Sequence, residues 1–136
     1  MSVLPHAHVF GFVCSLLWPL SFGVKVALGR GLKRIFMDIS AFRPTVMSLV
    51  PEMAAFLAFR KLFNPELKLI LIGAGDCPAP LLGAARALGI RLSFGYGLTE
   101  TSSGLALSLG EDPYAMTVCP DDTDRKSVRV GKECRS

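Results

Sequence analysis

The sequence predicts an α/β fold, a mostly parallel sheet with helices on both faces. Three observations carry that expectation. Short, unbroken apolar runs such as Lys68–Ile72 read as strands buried on both sides. These runs alternate with longer segments whose apolar residues recur at helical spacing. The 136-residue chain is also 51% hydrophobic and 19% charged, richer in apolar residues than an ordinary soluble domain. A chain of this length can bury one core.

The elements follow in order. Ser2–Leu4 reads as the end of a strand. Phe10–Leu20 reads as a helix and Val24–Leu28 as a strand. Leu32–Phe42 repeats Leu32, Ile35, Phe36, Ile39 and Phe42 at helical intervals and stops at Arg43-Pro44, because a residue before proline avoids the α region. Thr45–Val50 is a strand. Pro51 opens the next helix, where its missing N–H costs nothing; Met53, Phe56, Leu57, Phe59 and Phe63 form the expected apolar face. Lys68–Ile72 is a strand, Ala79–Leu88 a helix capped by Gly89, Ile90–Phe94 a strand, and Leu105–Leu109 a further short strand before the Glu111-Asp112-Pro113 turn. Trp18, Phe56, Phe59 and Phe63 read as core side chains.

The formal net charge of +4 is concentrated at one end. Asp124–Ser136 holds five basic residues against two acidic ones, leaving ten against nine in the rest. A nearly neutral body gives no electrostatic case for nucleic acid. The tail lacks apolar periodicity, so 124–136 is expected to be a non-native or disordered segment that packs little, with a native basic tail as the alternative. Cysteines 14, 77, 119 and 134 show neither a C-x-x-C pair nor zinc spacing, and read as reduced thiols of a cytoplasmic protein. His8–Gly29 is long enough to span a bilayer. Pro19, Gly23 and Lys25 interrupt it, so no span is expected. No charged start and cleavage site mark a signal peptide.

Ligands of parallel sheets sit beyond the carboxyl ends of the strands. Three loops with unusual chemistry leave such ends: Pro5–Gly11, Gly73–Pro80 and Gly95–Gly104. All three are expected on one edge. In the last, Gly95 and Gly97 permit a sharp turn around Tyr96, whose ring can stack on a base. Thr99 offers a hydroxyl to a phosphate. Glu100 is a hard oxygen ligand suited to Mg²⁺. A nucleotide is a coherent ligand for that set; a surface turn with an exposed glutamate is the competing reading. Gly73-Ala74-Gly75 also reads as a G-x-G turn, but it lacks the third glycine and the acidic partner of a dinucleotide fingerprint. His6 reads as a loop histidine.

Tyr96-Gly97-Leu98-Thr99-Glu100 resembles the Y-G-x-T-E signature of the adenylate-forming superfamily, which includes acyl-CoA synthetases, luciferases and peptide-synthetase adenylation domains. Leu4-Pro5-His6-Ala7-His8-Val9-Phe10-Gly11 is similar to that family's L-P-x-x-H-x-x-G loop, and Gly73-Ala74-Gly75-Asp76 falls where members carry a small-residue turn. Order and separations agree over roughly Ser2 to Thr123, so 1–123 resembles part of an AMP-binding domain. The resemblance implies that a carboxylate attacks the α-phosphate of ATP and that a thiol, often coenzyme A, then accepts the acyl group. It implies that Tyr96 and Gly97 meet the adenine side, that Gly73, Ala74 and Gly75 run beside the base, that Thr99 contacts phosphate and that Glu100 helps hold Mg²⁺. His8 would line the carboxylate end of the acyl pocket with Phe10 beside it. The uncharged His8–Gly11 region points to an apolar acid.

Two positions depart from the pattern. Phe94 stands where relatives commonly carry Gln, Asn or Glu, and Asp76 stands where they often carry alanine. The family's phosphate loop is expected before Ser2. Its ribose-binding aspartate and its small domain with a catalytic lysine are expected after Thr123. The chain therefore reads as an internal piece of the large amino-terminal domain, inactive alone. A non-catalytic nucleotide-binding module and a membrane-associated protein are the competing readings.

Overall fold

Leu69-Ile70-Leu71-Ile72 forms the centre of the parallel half of the sheet. The computed structural model describes residues 1–76, 79–101, 103–108, 115–118 and 127–129. Strands β1 (Val46–Leu49), β2 (Leu69–Ile72) and β3 (Arg91–Tyr96) pair in parallel, with Leu49 beside Ile72 and Ile72 beside Phe94. Strands β4 (Ala106–Ser108), β5 (Ala115–Val118) and β6 (Ser127–Arg129) continue the sheet in sequence order. Each of these last three pairs antiparallel with its predecessor.

The sheet is thus parallel across β1 to β3, as expected, and antiparallel from β4 onward. The reason is connection length. A parallel return needs a crossover of a dozen or more residues. The helices α3 (Pro51–Phe59) and α4 (Ala79–Ala87) provide it between β1, β2 and β3. The links from β3 to β4 and onward are too short, so the chain turns back on itself. β6 falls inside the segment expected to pack little, and pairs Ser127 with Thr117 and Arg129 with Ala115. The remainder of 124–136 lies outside the described residues.

The helices depart from expectation in detail. Phe10–Leu17 winds as a π-helix and passes into a short α-helix, α1 (Trp18–Ser21), the Trp18 N–H donating to the Val13 carbonyl. Val24–Leu28 is not a strand. Of its residues Leu28 alone makes a bridge, to Ser2, and Ser2 also bridges Ser48. A 3₁₀ turn, Leu32–Arg34, leads into α2 (Ile35–Phe42), and Gly89 ends the α4 region at φ +69°.

Alternation along the strands separates two faces. Met47, Leu49, Ile70, Ile72 and Phe94 are buried together with Ala54 and Leu57 of α3 and Leu81 and Ala85 of α4. Burying a Leu or Ile side chain fully stabilises by about 1.5–3 kcal/mol, so this cluster is the core. The opposite face carries Val46, Ser48, Leu69, Leu71 and Ser93. The π-helix lies against it, and Ser93 Oγ donates to the Ser108 carbonyl at 2.6 Å.

Trp18, Phe56 and Phe59, expected in the core, are 44%, 49% and 63% exposed. In α3 the buried stripe is Pro51, Ala54, Leu57 and Ala58. That helix is apolar around most of its circumference, so spacing could not select the inward side. Phe56 instead meets Phe36 of α2, ring centroids 6.0 Å apart.

Candidate functional site

β2 and β3 run in parallel, so the turn after Ile72 and the loop after Tyr96 leave the same edge of the sheet. The Pro5–Gly11 loop joins them there. Gly73 is buried against the Phe10 ring, and a Cβ on it would lie 2.9 Å from Phe10 Cζ. Gly75 rests against Pro51, which opens α3 just beyond the carboxyl end of β1. Cys14 Sγ of the π-helix lies 3.4 Å from Ser103 Oγ in the third loop. Gly11, Gly75 and Tyr96 therefore share one edge.

Gly95 and Tyr96 are the last residues of β3 and pair with Leu107 and Ala106. The loop proper begins at Gly97. A Cβ at Gly97 would fall 1.1 Å from the Ser103 carbonyl oxygen, so no other residue fits there. The Leu105 N–H donates to the Tyr96 carbonyl at 2.9 Å, and the Ser103 N–H donates to the Leu98 carbonyl at 3.1 Å. These bonds close the loop on itself. A 3₁₀ turn, Thr99–Thr101, forms its tip.

Tyr96 is 42% exposed, and Gly97, Leu98, Thr99 and Glu100 are also exposed. Ala74 takes φ +64° at the centre of the Gly73–Gly75 turn, and both Ala74 and Gly75 are open to solvent. The structure thus places an aromatic ring, a hydroxyl, a carboxylate and a small-residue backbone turn along one rim. His8 is exposed in the Pro5–Gly11 loop. His6, read as a plain loop residue, has its Nε2 2.8 Å from Ser2 Oγ and so ties that loop to the sheet. Phe94 faces away from the rim into the core, which explains why an apolar residue is tolerated there. Asp76 is exposed, and no contact among the described residues explains it.

Under this rim, between the π-helix and the open sheet face, is a cavity of about 1120 Å³. Cys14, Ser15, Trp18, Leu71, Ser93 and Leu107 contribute to its walls. Leu107 pairs with Gly95, and Cys14 touches Ser103, so the cavity reaches the base of the Tyr96 loop. Lys25, Arg43, Arg86 and Arg91 line it as well. Arg43 and Arg91 stand at the amino ends of β1 and β3, away from the rim. Sequence reasoning did not find this cavity, because its walls come from elements far apart in the chain.

Glu100 is a single carboxylate, and no group of three His, Cys, Asp or Glu side chains gathers among the described residues. One carboxylate suits Mg²⁺, which takes most of its ligands from water and phosphate oxygens. Cys14 is a free, half-buried thiol. The other three cysteines lie outside the described residues. No helix among the described residues is long and apolar enough to cross a membrane.

Known proteins identify the family and the fold. The family model described as AMP-binding enzyme matches residues 1–135. The 2-succinylbenzoate–CoA ligase of Bacillus subtilis is 32% identical over 135 residues, covering 97% of this chain and 26% of that enzyme. The N-terminal domain of FACL13 from Mycobacterium tuberculosis superposes with a TM-score of 0.71 at 25% identity, over 81% of this chain and 29% of that one. The B. subtilis O-succinylbenzoate coenzyme A synthetase solved in complex with ATP and magnesium ion superposes with a TM-score of 0.66 at 28% identity, over 78% of this chain and 23% of that one. The chain spans about a quarter of the length of these relatives. Matched along almost its whole length and folded like their amino-terminal domains, it belongs to the AMP-binding, adenylate-forming enzyme family.

Proposed function

We propose that this chain carries part of the nucleotide-facing edge of an ATP-dependent carboxylate-activating enzyme that forms an acyl-adenylate and passes the acyl group to a thiol, coenzyme A foremost. One observation carries the reading: the loops bearing His8, Gly73–Gly75 and Tyr96–Glu100 meet at a single sheet edge, as shared recognition of one nucleotide requires. The exposed Tyr96 ring stacks on adenine, with the open Gly73–Ala74–Gly75 backbone and Gly97 beside it. The Thr99 hydroxyl donates to a phosphate oxygen. Glu100 would hold Mg²⁺, which when bound would offset phosphate charge. His8 borders the point where the carboxylate enters, and Phe10 packs beneath it on Gly73.

The chemical difficulty is bringing an anionic carboxylate to an anionic phosphate. These residues contribute by orienting the reactants and by stabilising developing charge. The largely apolar cavity beneath the rim suits an apolar acid whose carboxylate points to the Tyr96 loop. Residues 1–123 constitute part of the adenylation domain. The 136-residue piece, about a quarter of the length of its relatives, is inactive alone.

ATP–pyrophosphate exchange tests the proposal. In a full-length enzyme containing this segment, Glu100→Gln lowers exchange by about two orders of magnitude and weakens its dependence on Mg²⁺. Glu66→Gln, at the amino-terminal side of β2 and paired with Arg43, leaves exchange unchanged. Full activity of the Glu100→Gln enzyme, or vigorous exchange by the 136-residue chain alone, overturns the assignment. Nucleotide binding by the full-length protein without any exchange would favour a non-catalytic module.

A further inference from the structure

We propose that Cys14 and Ser103 form a clasp that sets the position of the Tyr96–Glu100 loop, making both positioning residues for nucleotide recognition. The recognition part rests on the function proposed above.

Ser103 is an unusual residue for its place. Its φ of +95° lies in a region that L side chains rarely adopt and that glycine adopts freely. Such strain persists where the surroundings over-determine it. A glycine at 103 would relieve the backbone, and what serine adds there is a hydroxyl. Among the described residues that hydroxyl meets Cys14 Sγ at 3.4 Å, across 89 residues of sequence, and either atom can donate. Ser103 is buried and Cys14 half-buried, so water competes poorly for the contact.

Ser103 also controls the loop. Its carbonyl occupies the space beside Gly97, and its N–H donates to Leu98. The Leu105–Tyr96 hydrogen bond closes the base of the same loop. Ser103 and Leu105 are thereby tied back to Leu98 and Tyr96. Its outer residues Leu98, Thr99 and Glu100 are exposed. Where Ser103 docks on the π-helix decides where Thr99 and Glu100 point. The π-helix in turn presses Phe10 onto Gly73, so one element registers two of the three loops of the rim. π-helical turns are rare and concentrate at functional sites.

Hydrogen exchange of a full-length protein containing this segment tests the clasp without reference to any ligand. Cys14→Ala and Ser103→Gly each raise exchange across 97–105 by about fivefold, the factor expected for one lost hydrogen bond. Cys14→Ser, which keeps a hydrogen-bonding group, restores protection. Exchange in β1 and β2 stays unchanged. Alkylation of Cys14 by iodoacetamide accelerates in Ser103→Gly. If Cys14→Ala does not fold by circular dichroism, Ser103→Gly and Cys14→Ser decide. Unaltered exchange in 97–105, or failure of Cys14→Ser to restore it, overturns the clasp.

The fluorescent analogue TNP-ATP then reads positioning. In a full-length protein containing this segment, binding weakens by about fivefold in Ser103→Gly and Cys14→Ala and stays at the wild-type value in Cys14→Ser. Equal affinity in all variants overturns the positioning role even where exchange responds. Tyr96→Ala separates the two ideas: it abolishes TNP-ATP binding without raising exchange at Ser103. Binding that survives Tyr96→Ala counts against the nucleotide assignment and leaves the clasp to be judged on exchange alone.

Discussion

Asp38 is fully buried, and its carboxylate holds the Gly29–Gly31 turn to α2. The Arg30 N–H donates to Oδ2 at 2.7 Å and Arg30 Nε donates to Oδ1 at 2.8 Å. The backbone N–H, before the guanidinium, holds the Asp38 carboxyl below the usual carboxylate range. Glu66 is lowered as well, chiefly by the Asn64 side chain and then by Arg43. A carboxyl whose folded value is depressed stabilises the fold fully above its unfolded value, near pH 4. That stabilisation is lost as pH falls through the lowered folded value. Asp38→Asn should therefore lower the melting temperature at neutral pH, and the difference from wild type should shrink as pH falls below the unfolded value and through the lowered folded one. Glu66→Gln should do far less, because its partner Arg43 is exposed and such pairs are worth little. Thermal melts across pH check both. An Asp38→Asn difference that persists unchanged into acid would show that packing, not charge, is the contribution.

At the scale of elements, α3 shows how much an all-apolar helix leaves undecided. Its start was legible, since Pro51 sits at the first helical position. Its inward face was not, since Met53, Phe56 and Phe59 look as hydrophobic as Ala54, Leu57 and Ala58. The tertiary fold buries the smaller residues because α3 packs closely on the sheet and on α4, where side chains of limited volume fit. Leu57→Ala should cost about 2–5 kcal/mol, read from denaturant unfolding. Phe59→Ser should leave stability within about 0.5 kcal/mol, as at other exposed sites. Equal losses from the two would contradict the packing described. The same ambiguity affected the first helix, whose apolar run signals a helix but not its winding.

At the scale of the molecule, the described residues fold around one core yet leave apolar side chains open. Phe22, Val24, Leu32, Met37 and Phe59 are more than half exposed. Patches of this kind mark surfaces that pack against something else. The relatives are about four times longer, which supplies a source for the missing contacts. The isolated chain should bind the dye ANS and self-associate in light scattering. A longer piece that includes the flanking parts of the domain should do neither. A dye-silent monomer of the 136-residue chain would show that these faces need no partner.

Much of the site could be read without a fold. Tyr96, Thr99 and Glu100 stand within five residues, and the side-chain chemistry of base, phosphate and metal recognition is local. The strands β1 to β3 and the helices between them were likewise legible, because unbroken apolar runs and helical spacing are properties of neighbouring residues. Pairing is different. Whether β4 returns parallel or antiparallel follows from the length of its link. The cavity and the Cys14–Ser103 contact each join residues tens of positions apart. The chemistry proposed here is carried by short stretches, so it could be read from the sequence alone. Which face is buried, and which loops meet, depends on packing between distant segments, and only the tertiary structure could decide that.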